Sequence, residues 1–114
     1  MTRIKRTLTQ DQMYLMANLS GRSTGLPMVI WVSPGYGAKH TPRIEIQRQY
    51  GDRSTGRDVI AITISDKPRI VAGSGLSQDD LELVTKFILL NKNILLNYWS
   101  DANTEEMCEG IKKI

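Results

Sequence analysis

The apolar residues of this chain change their spacing once, and that change constrains the fold more than any other feature. Between residues 27 and 65 they follow the two-residue period of strands. "LPMVIWVSP" is an apolar run rich in β-branched residues, closed by Pro34 and the turn "PGYG". It reads as a strand buried on both faces, or nearly so. "PRIEIQRQY" alternates, with Ile44, Ile46, Arg48 and Tyr50 on one side and Arg43, Glu45, Gln47 and Gln49 on the other. "GDRSTG" is a turn, and "DVIAITIS" places Ile60, Ile62 and Ile64 on one face. Strands are expected near 27–33, 43–50 and 58–65, and "PRIVAG" adds a short fourth. The loops are too short for parallel crossovers, so neighbouring strands are antiparallel.

From Ser77 the period becomes helical. Leu81, Val84, Ile88, Leu95 and Trp99 fall on one face of "GLSQDDLELVTKFILLNKNILLNYW", and Leu81, Val84, Ile88 and Leu95 are expected to be buried. Ser77 is a good N-cap, and Gln78, Asp79 and Asp80 suit the positive end of the helix dipole. "NKN" at 91–93 permits either a break between two helices or one long helix. "TEEMCEGIKKI" is a last helical turn or two capped by Thr104, with its lysines at the C-terminal end. Before the strands, "TQDQMYLMANL" is a short helix with a capping box from Thr9 and Gln12. Its apolar side is Met13, Leu15, Met16 and Leu19, and "GRSTG" ends it. Strands followed by helices define an α+β domain. A small antiparallel sheet of three to four strands is expected to be covered on one face by the C-terminal helix or helix pair.

With 114 residues, no repeats and no linkers, the chain is one domain, residues 1–114. No apolar run approaches the roughly 20 residues that span a bilayer. Gln10, Asp11 and Gln12 interrupt what would be the apolar core of a secretory signal. The single cysteine, Cys108, and single histidine, His40, leave no internal disulfide and no nitrogen–sulfur ligand set for a structural zinc. No cofactor is implied, and a reducing cytoplasm is the natural compartment.

The charge is uneven. Residues 39–57 carry Lys39, Arg43, Arg48, Arg53 and Arg57 against Glu45 and Asp52, while residues 77–114 carry four lysines against seven acids. Such a dipolar chain steers anionic partners to its basic side. Within that basic stretch, "RQYGDRSTGR" joins arginines to a turn of glycines and hydroxyl residues. This composition suits either a phosphate clamp or a solubilised hairpin tip. The stripe Arg43, Glu45, Gln47 and Gln49 reads as the solvent face of a half-buried sheet. It has no aromatic residue for stacking RNA bases, since Tyr50 falls on the opposite face and Trp31 in the core. His40, on a loop before a strand, is a candidate acid–base group, but no nucleophile motif accompanies it. Tyr98 and Trp99, at the end of the long helix, either anchor a partner or close the core.

"KHTPRIEIQ" followed by "GLSQDDLELVTKFILLNKNILLNYW" resembles the bacterial domain of unknown function 4160 family over roughly residues 26–100. There a histidine–proline segment enters a strand, and a capped helix ends near a tryptophan. Family members carry two or more histidines where this chain has only His40, with Arg43 and Glu45 at later positions. The resemblance implies a bacterial or phage origin, a toxin–antitoxin setting and a protein partner, and it implies no reaction.

The reading favoured from the sequence is a non-catalytic binding or regulatory protein. Its basic side, Lys39, Arg43, Arg48, Arg53 and Arg57, would meet an anionic partner, either a protein or a nucleic acid. The first alternative is a metal-independent ribonuclease-type toxin. In it His40 or Glu45 would move protons and Arg43, Arg48, Arg53 or Arg57 would stabilise the phosphorane-like charge. The second is a structural homo-oligomer formed through sheet edges or the helix end.

Overall fold

The computed structural model of the protein describes residues 6–35 and 41–114. It is an α+β fold whose elements run α1 (Gln10–Leu15), β1 (Ala17–Leu19), α2 (Gly21–Thr24), β2 (Ile30–Val32), β3 (Arg43–Gln47), β4 (Val59–Thr63), β5 (Ile70–Ala72), α3 (Gln78–Asp101) and α4 (Thr104–Gly110). The strands form one antiparallel meander in the order β1-β2-β3-β4-β5, so β3 is central. β1 is the strand the sequence pattern did not announce. The three segments form shorter strands than expected, Ile30–Val32, Arg43–Gln47 and Val59–Thr63.

The capping box is present. Gln12 N donates to Thr9 Oγ1 at 3.1 Å, and Thr9 N donates to Gln12 Oε1 at 2.8 Å. The helix it starts stops at Leu15, and Leu19 belongs to β1 instead. Ser77 caps α3 by accepting from Asp80 N at 3.1 Å. α3 is one element with a kink at Asn91, whose φ of −111° and ψ of 15° leave the helical region. The cause is a side chain that bonds across the gap. Asn91 Nδ2 donates to Phe87 O at 3.1 Å and to Lys112 O at 2.9 Å, and Oδ1 accepts from Lys112 N at 2.7 Å. The last helix is capped by Asn103, which accepts from Glu106 N, rather than by Thr104. It ends at Gly110, so Lys112 and Lys113 lie beyond it.

Two apolar clusters sandwich the sheet. On one face Ile30, Val32, Ile44, Ile46, Ile60, Ile62 and Ile64 pack against Val84, Phe87, Ile88, Leu95 and Tyr98 of α3. Leu81, expected to be buried, is only half-buried, and so is Trp99. On the other face Val29, Trp31 and Val59 pack with Leu8, Met13 and Met16 of the N-terminal segment. That segment is held beside β4 by Val59 N donating to Arg6 O and Leu8 N donating to Gly56 O, both at 2.8 Å. The C-terminal helix covers one face of the sheet, as expected, and the N-terminal segment covers the other, which had the pattern of a solvent face. The physical reason is that β2 and β4 are apolar on both sides, and a single helix can cover only one of them.

Ile88 is fully buried at the middle of the helix–sheet interface. Ile88→Ala is expected to lower the unfolding free energy by about 2–5 kcal/mol in a urea titration. A loss within experimental noise would mean that α3 does not pack by this face.

Candidate anion-binding site

β3 sends three polar side chains, Arg43, Glu45 and Gln47, to the second face, and the last two are buried. Glu45 is 4% exposed and Gln47 is 3% exposed. The predicted solvent stripe is thus corrected at its two central positions, while Arg43 is half-buried and Gln49 exposed. Burial of polar groups is tolerable only if their hydrogen bonds are made. Gln47 is bonded through both ends of its amide. Its Oε1 accepts from Trp31 Nε1 at 2.8 Å, from Thr55 N at 3.0 Å and from Gly56 N at 3.3 Å. Its Nε2 donates to Arg53 O at 2.7 Å. One side chain therefore fixes the course of residues 53–56.

Other bonds tie the same connection down. Gly51 N donates to Pro27 O at 2.9 Å, and Ser54 Oγ donates to Asn18 Oδ1 at 2.9 Å. Gly56 takes a left-handed φ of +66°, and a Cβ there would collide with Met13 Sδ. At the base, Arg48 Nε and Nη2 both donate to Asp58 Oδ2, at 2.9 and 2.8 Å. Arg48 is therefore spent on a local ion pair and drops out of the predicted anion-binding set.

The anchored connection walls a polar cleft of about 370 Å³, lined by Gln47, Gln49, Tyr50, Arg53, Ser54, Thr55 and Arg57. Arg53 and Arg57 are exposed, and neither guanidinium has a carboxylate partner among the described residues. Asp52 does not line the cleft. Tyr50 does line it, although strand parity puts it on the other face, because the strand ends at Gln47 and the chain turns. Its ring is 60% exposed. Its hydroxyl donates to Asp80 Oδ1 and Oδ2, at 2.8 and 3.0 Å, which pins the ring to the first turn of α3. That hydrogen bond, with minor help from desolvation and from the charges of Asp80 and Asp79, raises the Tyr50 phenol above its ordinary value.

The remaining site residues predicted from sequence are scattered. Lys39 and His40 lie outside the described residues. Glu45 lies elsewhere on the face, where Arg6 Nε and Nη2 donate to its two oxygens at 3.0 and 2.7 Å. These hydrogen bonds hold Arg6 charged even more firmly, against the opposing desolvation. Arg43 approaches Glu45 only to 3.9 Å. With both oxygens engaged by Arg6, Glu45 would have to break an ion pair to move a proton. Tyr98 is buried in the α3 core and is not available at the surface, whereas Trp99 is half-buried beside Gly35. Arg6 and the role of Gln47 were missed from sequence. The missed signal is that β3 lies between two strands that are apolar on both faces.

Comparison with protein-family models, curated proteins and solved structures finds no match for this chain.

Gln47→Leu leaves the buried Trp31 Nε1 and two loop amides without their acceptor. It is expected to cost about 2–6 kcal/mol, since the two fully buried donors, Trp31 Nε1 and Gly56 N, cost about 1–3 each when left unpaired. Hydrogen exchange at Thr55 and Gly56 should quicken in the same variant; unchanged exchange would show that Gln47 does not hold the loop. The Tyr50 shift also gives a pH signature. Its folded value lies above the unfolded value, so its contribution to stability is complete below about pH 10. That contribution falls as the pH rises through the window above, where the unfolded chain ionises first. An ultraviolet titration should show a late phenolate step that Tyr50→Phe removes.

Proposed function

We propose that this chain is a non-catalytic binding protein whose cleft, bordered by Arg53 and Arg57, takes an anionic partner, a segment of single-stranded nucleic acid. The observation that carries the reading is two exposed guanidinium groups without a carboxylate partner among the described residues, on a loop that Gln47 anchors from below. Arginine forks match phosphate oxygens, and Ser54 and Thr55 add hydroxyl groups to the same cleft. Tyr50 supports the nucleic-acid form of the reading over an acidic protein, because a pinned and exposed ring beside cations stacks on any base. A bacterial toxin–antitoxin or phage-defence setting is the one that the family resemblance implies. The occupied oxygens of Glu45 weigh against the ribonuclease alternative. The homo-oligomer alternative draws on edge strand β5, where Ile70 and Val71 are exposed. Sedimentation velocity separates it: pairing that Val71→Lys dissolves would favour that reading.

Fluorescence anisotropy with short single-stranded oligonucleotides tests the proposal. Affinity should fall with salt, and the Arg53→Gln/Arg57→Gln pair should reduce the log–log salt slope by about 1.4, the share of two phosphate contacts on a single strand. Tyr50→Ala should cost a further ~1–3 kcal/mol of binding. The oligonucleotide should remain intact throughout. No binding at low salt, or an unchanged slope in the double variant, removes the nucleic-acid reading. Cleavage that Glu45→Gln abolishes would replace the binder with an enzyme.

A further inference from the structure

The second face of the sheet carries another opening, at the Glu45 end of β3. It is a cleft of about 180 Å³ between the N-terminal segment, the end of β2 and the last turns of α3. Among the described residues, three charged side chains line it: Arg6, Arg43 and Glu45. Glu45 gives both oxygens to Arg6 and lies 3.9 Å from Arg43 Nε, beyond hydrogen-bond range. No other carboxylate pairs with either arginine among the described residues. The group therefore carries one positive charge in excess, on a guanidinium whose side chain is only 23% exposed. A partly desolvated cation with unfilled donors favours an anion beside it.

Two further features define the anion. Gln12 lines the cleft with its Oε1 taken by Thr9 N, which fixes the amide and leaves Nε2 as a donor. The other wall is apolar, formed by Leu15, Met16 and Trp99. Leu15 is 53% exposed at the end of a helix that fully buries none of its own residues. The volume is close to the roughly 150 Å³ known to hold one benzene ring. One excess charge, one amide donor and a ring-sized apolar wall match a single molecular class.

We infer that this cleft binds a monocarboxylate with a compact apolar body. The carboxylate bridges Arg43 and Gln12, and the body rests on Leu15, Met16 and Trp99. Both a free organic acid and the C-terminal residue of a peptide have this chemistry. The site is separate from the Arg53–Arg57 cleft, and its occupancy does not depend on the function proposed there.

The test is an NMR titration of the full chain with benzoate, its neutral analogue benzamide, N-acetyl-leucine, and an acetylated peptide ending in leucine as acid or amide. Benzoate should give saturable shifts at the Trp99 indole and the Leu15 and Met16 methyls. Benzamide should bind at least about tenfold more weakly, the loss expected for one charge-assisted hydrogen bond. Arg43→Gln should weaken benzoate by a similar factor. Leu15→Asp, at an exposed position that the fold does not need, should do so as well. The Arg53→Gln/Arg57→Gln variant should bind benzoate as the parent does, which separates this site from the other. A peptide acid that outbinds benzoate and exceeds its own amide identifies a chain end as the ligand; the reverse ranking identifies a free acid. Equal binding of benzoate and benzamide, no shifts at the cleft residues, or unaltered affinity in a folded Leu15→Asp variant would overturn the inference.

Discussion

Burial of β3 on both faces is the constraint on which the rest of the structure depends. Its α3-facing residues, Ile44 and Ile46, need only apolar neighbours. Its other face presents Glu45 between Trp31 and Ala61, and Gln47 beside Val59. A carboxylate and an amide placed there would each cost several kcal/mol if unpaired. Each is paired, and by a different part of the chain. Arg6 reaches Glu45 from 39 residues upstream, so the N-terminal segment is drawn onto the sheet as an ionic partner as well as an apolar cover. Gln47 turns instead to the β3–β4 connection and replaces water for its amides. Removing one partner of such a buried pair is far more costly than the pair is stabilising, so these contacts specify the arrangement more than they strengthen it.

The legibility of the fold follows from the same constraint. The α3 face was readable because its residues recur at fixed periods: Ile44 and Ile46, Ile60 and Ile62, then Val84, Ile88 and Leu95. The caps at Thr9 and Ser77 were readable because they depend on residues within three positions of each other. The second face was misread because Glu45 and Gln47 satisfy the alternation rule for a solvent face perfectly. That rule describes spacing, and the correct reading needed neighbours. "VIWV" and "VIAIT" flank the central strand and are apolar at every position but the final threonine, so whatever covers them must also cover β3. Arg6 carries no local sign of its role, because an ion pair across 39 residues has no period. Asn91 is intermediate. "NKN" marked the place, but the partner that makes a kink tolerable, Lys112, lies 21 residues away.

That partnership also explains how the end of the described chain is held. Asn91 grips both backbone groups of Lys112, and Ile114 N donates to Thr24 O at 3.0 Å. The segment after α4 therefore runs back across the helix to α2. Gly25, at φ +80°, leaves it room, since a Cβ there would stand 2.5 Å from Ile114 O. The α3 side of the molecule is in this way closed by backbone contacts and a continuous apolar core.

The second face is built differently, and the difference leaves charge there. An apolar face can be sealed completely, because hydrocarbon packing leaves no valence to fill. A face with a buried carboxylate and a buried amide must import donors, and the donors arrive on arginines and on a glycine-containing loop. Charge is then conserved in number but not in place. Asp58 cancels Arg48 and Glu45 cancels Arg6, which among the described residues leaves Arg43 at one end of β3 and Arg53 and Arg57 beyond the other without a full counter-charge. The sequence showed a basic stretch as one block. Folding divides it into two unlike cationic sites, separated along β3 by the step from Glu45 to Gln47, about 7 Å on an extended strand. One is open, polar and rimmed by a pinned aromatic ring; the other is narrow and apolar-walled. Two such sites on one face favour ligands of different shape, so a single polyanion stretched along the strand is a poorer match than two separate anions.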